Sequence, residues 1–382
     1  MAAIGAMIPG WLRYGDLPPA GNFIALQGSD SPPLQFAGYR AHWVQSGTAA
    51  LALALLCARQ RQPQITAPTV ILPAYGCPDL IAAAEYAGVR PLLVDISVDD
   101  PGYDLEQLAQ AIDATTVAVV AVNFLGIRER LVELRAMVDR HAQVLLIEDN
   151  AQWFPEPADG SSLAGDLVCL SFGRGKPVSL LGGGLLLVRS DCPSRAPAIA
   201  AAHEAGAGLT LKVQLFNALL HRRLYPIVNR NPLFALGQTV FKPLHEIRTL
   251  DRVRYQSVAT AVQRYLAGSR SNESAWEAVL GPLSLPRRLA GERQCLGRLL
   301  RYPILCADEN ERNRLWRIFD QAGLGASALY RVALPDVDGV AGRFRLASDY
   351  GNARNFSARL LTLPVHEQVT EADIGRAVAL LS

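Results

Sequence analysis

The chain of 382 residues has no uninterrupted apolar run of about 18 residues, so nothing in it reads as a membrane-spanning helix. It also lacks charge of one sign. Lys and Arg number 37 against 35 Asp and Glu, and a net charge of +2 gives no electrostatic case for nucleic acid or for an acidic partner. Neither an aromatic–basic alternation nor zinc-type ligand spacing is present, so no nucleic-acid or metal role is expected. The six cysteines (Cys57, Cys77, Cys169, Cys192, Cys295 and Cys306) show no paired spacing, and most sit in apolar runs. They read as buried free thiols in a reducing compartment, which points to the cytoplasm. The first twelve residues have neither a basic start nor a full apolar core, so a signal peptide is not expected. What is there is globular, with 50% hydrophobic and 19% charged residues in a length that suits a large domain plus a smaller lobe. The expected division is an irregular Pro- and Gly-rich arm over 1–40, a large domain over 41–250 and a small C-terminal domain over 251–382.

The stretch Leu170-Ser171-Phe172-Gly173-Arg174-Gly175-Lys176-Pro177 organises the rest. It places a lysine on a glycine-rich turn between two apolar runs, 166–170 and 185–188. Such a lysine can neutralise a phosphate or form a Schiff base with an aldehyde cofactor. A Walker-type phosphate loop is excluded by spacing, because Leu170 stands where it needs glycine and Pro177 where it needs Ser or Thr. A surface lysine on a flexible turn is the plain alternative.

Upstream, Val44-Gln45-Ser46-Gly47-Thr48 leads into an Ala/Leu-rich helix whose first amides suit an anion. An ordinary cap by Ser46 or Thr48 fits equally. Strands are expected over 69–72, 90–95, 116–122 and 144–148, with helices over 79–87 and 128–141. This alternation implies a mostly parallel sheet covered on both faces, with ligands at the carboxyl ends of its strands. Tyr75 lies at one such end and could stack on a flat ring or plug the core. Asp149 lies at another, where a buried carboxylate needs a partner such as a protonated pyridine, or simply caps a helix.

In chain order, Ser46-Gly47-Thr48, Tyr75, Asp149 with Gln152, Ser171 and Lys176 make the set a pyridoxal phosphate (PLP) enzyme of fold type I needs. The sequence resembles the DegT/StrS sugar aminotransferases. The resemblance rests on Ser46-Gly47-Thr48-Ala49-Ala50-Leu51, on Leu72-Pro73-Ala74-Tyr75, and on Ala87-Gly88-Val89-Arg90-Pro91 through Asp95. It rests equally on Glu148-Asp149-Asn150-Ala151-Gln152, on Ser171-Phe172 with Lys176 and Gly183-Gly184, and on Leu361-Thr362-Leu363-Pro364-Val365-His366 with Thr370-Glu371-Ala372-Asp373-Ile374. It covers residues 36–190 well and 322–382 in part. The resemblance implies a seven-stranded-type sheet, a homodimer, and transfer of an amino group from glutamate to a keto sugar carried on a nucleotide, in polysaccharide or sugar biosynthesis. It implies Gly47, Thr48 and Ser171 at the phosphate, Tyr75 at the ring, Asp149 at the pyridine nitrogen, Gln152 at the ring hydroxyl and Lys176 as the Schiff-base lysine. It also places Tyr330 and His366 near the substrate.

The sequence departs from the family in three places. Cys77 takes the place of the loop's second aromatic. Pro177 to Leu181 replace the polar residues after the lysine. The Asn-Tyr-Arg segment that reaches a neighbour's cofactor site has no counterpart near 250–263. Residues 209–247 are apolar and carry five Lys or Arg against one acid, Glu246. They read as an amphipathic helical insertion, covering the domain or dimer contact or touching an anionic membrane surface. Rival functions are a PLP elimination or desulfuration that uses Cys77, and a non-catalytic accessory protein of an export pathway.

Overall fold

The computed structural model describes residues 9–28, 34–156, 160–204, 208–231, 239–290, 298–346 and 348–381. Cys295 and residues 232–238 of the apolar basic segment lie outside the described residues.

Seven strands form the main sheet: β1 (Tyr39–Val44), β2 (Thr69–Pro73), β3 (Arg90–Val94), β4 (Thr116–Val122), β5 (Leu145–Asn150), β6 (Leu167–Ser171) and β7 (Gly184–Arg189). Their order is β1-β7-β6-β5-β4-β2-β3, and only β7 runs antiparallel to its neighbours. Sequences such as Thr69-Val70-Ile71-Leu72-Pro73 are buried along their whole length, as strands covered on both faces must be. The short α1 (Gly10–Tyr14) precedes the sheet, and α2 (Gly47–Arg61), α3 (Asp79–Ala87), α4 (Leu105–Ala111) and α5 (Leu131–Val138) link its strands. Helix α2 is apolar all round. It runs between α3 and the β6–β7 side of the sheet, with Leu51, Leu53 and Leu55 buried. Each such leucine contributes about 1.5–3 kcal/mol by leaving water.

Two helices follow the sheet, α6 (Gly208–Leu220) and α7 (Tyr225–Asn229). The C-terminal part comprises α8 (Arg252–Ala267), α9 (Ser271–Leu280), α10 (Leu285–Leu289), α11 (Glu309–Gln321), α12 (Gly351–Arg359) and α13 (Glu371–Leu381). With them goes a two-stranded antiparallel sheet of β8 (Tyr302–Leu305) and β9 (Leu360–Leu363). Asp95, just past β3, accepts from the Asn352 and Ala353 amides at the start of α12 and so ties this lobe to the large sheet. Over 343–346 the chain forms no strand. Arg345 makes a single bridge to Leu92, while Leu346 is exposed and has no sheet neighbour to cover it.

The N-terminal arm is not a loose appendage. The Asp16 amide donates to the Arg222 carbonyl and the Leu17 amide to the Gly323 carbonyl. The Asp16 carboxylate accepts from Asn229 and Arg230. Residues 16–21 are thereby clamped between the α6–α7 segment and the C-terminal lobe.

Candidate active site

Alternation along β5 assigns different duties to adjacent carboxylates. Glu148 points into the protein and accepts from the Asn123 and Asn150 side-chain amides and from the Ala164 and Gly165 backbone amides. Four donors satisfy it without a cation. Asp149 points the other way, into a cleft of about 740 Å³ at the carboxyl ends of the strands. One of its oxygens accepts from the Ala151 amide at 2.9 Å, and no other hydrogen bond to its side chain is present among the described residues. Burial pushes its carboxyl above the ordinary range; the Ala151 amide and the Lys176 charge pull it back, while Asp79 adds to the rise.

One end of the cleft is built where β1 turns into α2. Ser46 caps the helix by accepting from the Ala49 amide at 3.1 Å. The Gly47 and Thr48 amides make no hydrogen bond among the described residues, as the first turn of a helix requires unless an anion or water is present. A side chain at Gly47 would bring its Cβ within 2.6 Å of the Ser171 Cβ, so only glycine lets the helix start approach the end of β6. Gly184, opening β7, has the same necessity, since its Cβ would lie 2.2 Å from the Ser46 carbonyl oxygen. The loop from β6 to β7 closes when the Phe172 amide donates to the Gly183 carbonyl, and the Leu180 amide donates back to Phe172. Lys176 stands on this loop with its amine free of any protein hydrogen bond or ion pair among the described residues, lining the same cleft as Asp149, Gln152 and Ser171.

Gln152 is fixed on both sides of its amide. Its oxygen accepts from the Leu125 backbone amide, and its nitrogen donates to the Tyr330 hydroxyl at 2.9 Å. Tyr330 therefore reaches the site through Gln152 rather than by lining the cleft. Two expected residues stand elsewhere. Tyr75 is enclosed in the core, its hydroxyl donating to the Tyr330 carbonyl and its ring edge-on to Phe124, Tyr330 and Phe356, so it faces no ring in the cleft. His366 lines an adjoining cavity that shares Ala20, Gly175 and Lys176 with the cleft. There its Nε2 bonds the Pro18 carbonyl and its Nδ1 accepts from the Gln368 amide, so it holds the arm. Burial lowers its pKa to about 4.

Other cleft residues had no signal in the sequence. Asp79 accepts from the Thr48 hydroxyl at 2.9 Å, which commits that hydroxyl's proton and leaves Thr48 its backbone amide for an anion. Pro19 and Ala20 of the arm, Arg301, and Phe216, Leu220 and Tyr225 of the α6–α7 segment complete the walls. Cys77 also lines the cleft, with its thiol pushed up to about 12 by burial first and by Asp79 next. It is a protonated thiol at neutral pH, not the thiolate that a desulfurase nucleophile requires.

An aspartate oxygen without a protein partner, an open helix N-terminus beside Ser171 and an unpaired lysine amine match the pyridine nitrogen, phosphate and aldehyde of PLP. On this sheet they define a PLP-dependent transferase of fold type I. Residues 36–207 match the model of the DegT/DnrJ/EryC1/StrS aminotransferase family. A comparison with curated proteins finds no match. Among solved structures, DesI in the presence of its TDP-sugar product is similar at 20% identity and TM-score 0.66, over 98% of this chain and 93% of that one. The sugar aminotransferase CalS13 from Micromonospora echinospora is similar at 20% identity and TM-score 0.63, over 89% and 86%. An E. coli GDP-4-keto-6-deoxy-D-mannose-3-dehydratase with bound hydrated PLP is similar at 16% identity and TM-score 0.63, over 91% and 88%. At these identities the likenesses establish the fold, which hosts both transamination and dehydration. The family model matched over 36–207 is that of aminotransferases.

Among the described residues no helix is long and apolar enough to cross a membrane, and no cluster of His, Cys, Asp or Glu suits a metal ion.

Proposed function

We propose that this chain transfers an amino group from glutamate to a keto sugar carried on a nucleotide, in sugar or polysaccharide biosynthesis, and does so as a homodimer in the cytoplasm. The single observation that carries the chemistry is the placement of Lys176 and Asp149 in one cleft, each with a reactive atom that the protein leaves unpartnered. When bound, PLP supplies an electron sink for the carbanion left when a proton departs from the donor's Cα.

The chain's own residues do the rest. Asp149, charged and buried, keeps a proton on the ring nitrogen and so keeps the sink strong. Gln152, locked by Leu125 and Tyr330, orients the ring hydroxyl. The Gly47 and Thr48 amides and the Ser171 hydroxyl hold the phosphate. The Lys176 amine takes the proton from the donor's Cα and returns it at the far carbon, acting as base and then acid. The keto-sugar acceptor and its nucleotide are supported by the family and by the DesI likeness.

The test is the visible absorbance of purified protein with added PLP, wild type beside Lys176→Ala. The wild type is expected to show a cofactor band that shifts on adding glutamate, and the variant is expected to show none. A wild type without a band would overturn the proposal.

A second reading concerns location. Leu211, Leu215 and Ile227 are exposed on α6 and α7 beside Lys212 and Arg223, which suits a peripheral contact with an anionic membrane. Arg222 and Arg230 take no part in it, because both are spent on internal carboxylates. Failure to co-sediment with anionic vesicles at low salt would remove this reading.

A further inference from the structure

The cofactor cleft and the adjoining cavity, each of about 740 Å³, meet at Lys176. The residues common to both are Ala20 of the arm, Gly175 and Lys176 of the loop, and Phe216 and Leu220 of α6. They form a passage, and anything held in the adjoining cavity approaches the lysine amine through it. Two of its sides, the arm and α6, come from segments about 200 positions apart, so its width depends on what ties them together.

Gln368, two residues past His366, lines neither space. Its Nε2 donates to the Gly21 carbonyl at 3.0 Å and to the Leu220 carbonyl at 3.1 Å, and its Oε1 accepts from the Arg222 backbone amide at 3.2 Å. Both N–H groups and the oxygen are thus used, and one planar amide joins the arm to the end of α6. His366 anchors the Pro18 carbonyl, so Pro19 and Ala20 lie between two fastened carbonyls. The seat is tight. A Cβ at Gly21 would lie 2.5 Å from the Pro18 Cγ and 2.9 Å from the His366 Nε2. Asn217 of α6 also holds the arm, but further along, at Ile24. We infer that Gln368 is a positioning residue: by clasping Gly21 to Leu220 it fixes the width of the passage and so sets the size of reactant admitted to Lys176. The inference rests on the reading of Lys176 as the lysine that holds PLP.

The experiment uses the full chain reconstituted with PLP, comparing wild type, Gln368→Ala and Gln368→Glu. The second variant keeps the shape of the side chain and the bond from the Arg222 amide but loses both donors, so it reads the clasp even if the alanine variant folds poorly. Two probes are added, hydroxylamine and O-benzylhydroxylamine. Each displaces the lysine amine from the cofactor's aldehyde, leaving an oxime and the free amine, and so bleaches the visible band. The second is much the bulkier. Each variant is compared with wild type for the same probe, which cancels intrinsic reactivity. Loss of the two bonds is expected to speed bleaching by O-benzylhydroxylamine about tenfold in both variants, and by hydroxylamine less than about twofold. Equal gains with both probes would mean general loosening and would overturn the inference. No gain with the bulky probe, whatever the change in melting temperature, would overturn it too, because Gln368 would then serve stability alone. A wild type that forms no visible band would overturn the cofactor reading of Lys176, and this inference with it.

Discussion

Asp149 shows how a functional residue opposes the stability of the protein that carries it. Its folded-state pKa is raised by burial, so the folded chain holds the proton more tightly than the unfolded chain does. Without cofactor, stability is therefore lost as pH rises through the folded value. The Asp149→Asn apoprotein is expected to melt at a higher temperature than wild type at pH 8, with a gap that narrows toward pH 4. The same variant should bind PLP about tenfold to a hundredfold more weakly, because the pyridinium loses its charged acceptor. Thermal melts across pH with an equilibrium PLP titration check both; a variant no more stable than wild type at any pH would refute the conflict. The sequence placed Asp149 at a strand end and left open whether it meets a cofactor or caps a helix; the two-residue period of the strand turns Glu148 inward and Asp149 into the cleft. Tyr75 was ambiguous for the same reason. It follows a strand end, and only the packing of Phe124, Tyr330 and Phe356 around its ring decides that it faces inward.

At the scale of elements, sequence and structure agree where local forces dominate. Strands β2, β3 and β4 and helix α3 are continuous apolar or strongly periodic stretches, and the pattern alone marks them. Helix α5 is shorter than its periodicity suggested because Glu129 turns back to accept from the Arg130 amide, closing the chain before the first turn. The arm was unreadable, since residues 16–21 have no pattern of their own and are shaped by partners hundreds of residues away. His366 is the partner that makes this measurable. It is held neutral, so between about pH 6.5 and pH 4 the unfolded chain takes up a proton that the folded chain refuses, and stability falls as pH falls. The loss should reach about 2 kcal/mol by pH 5. Urea titrations at pH 7 and pH 5 should show this slope in wild type and a flatter one in His366→Gln. Equal slopes would mean that other groups carry the pH dependence.

For the whole molecule, the decisive contacts join three distant parts of the chain. Arg222, from the α6–α7 segment, forks onto Asp373 at 2.9 and 3.0 Å and also donates to the Tyr14 carbonyl. Burial alone would raise the Asp373 carboxyl, but Arg222 and Thr370 bring it below its ordinary range. Arg222→Ala is expected to cost about 3 kcal/mol, because a buried carboxylate loses its main partner. The Arg222→Ala/Asp373→Asn double variant should cost less than the two single changes summed. Denaturant midpoints of the four proteins settle the coupling; additivity would mean that Arg376 alone satisfies Asp373. None of this was visible in the composition of 209–247, where five basic residues suggested a surface. Two of them are instead fasteners, and the apolar residues beside them wall the cleft.

Pro18 and His366 share a hydrogen bond across 348 positions of sequence. During synthesis the arm leaves the ribosome long before its anchor, so this wall of the cleft stays open until the chain has grown past His366. Vitamin loaded earlier would sit in a site with one side missing, so secure capture of the cofactor waits for the emergence of His366.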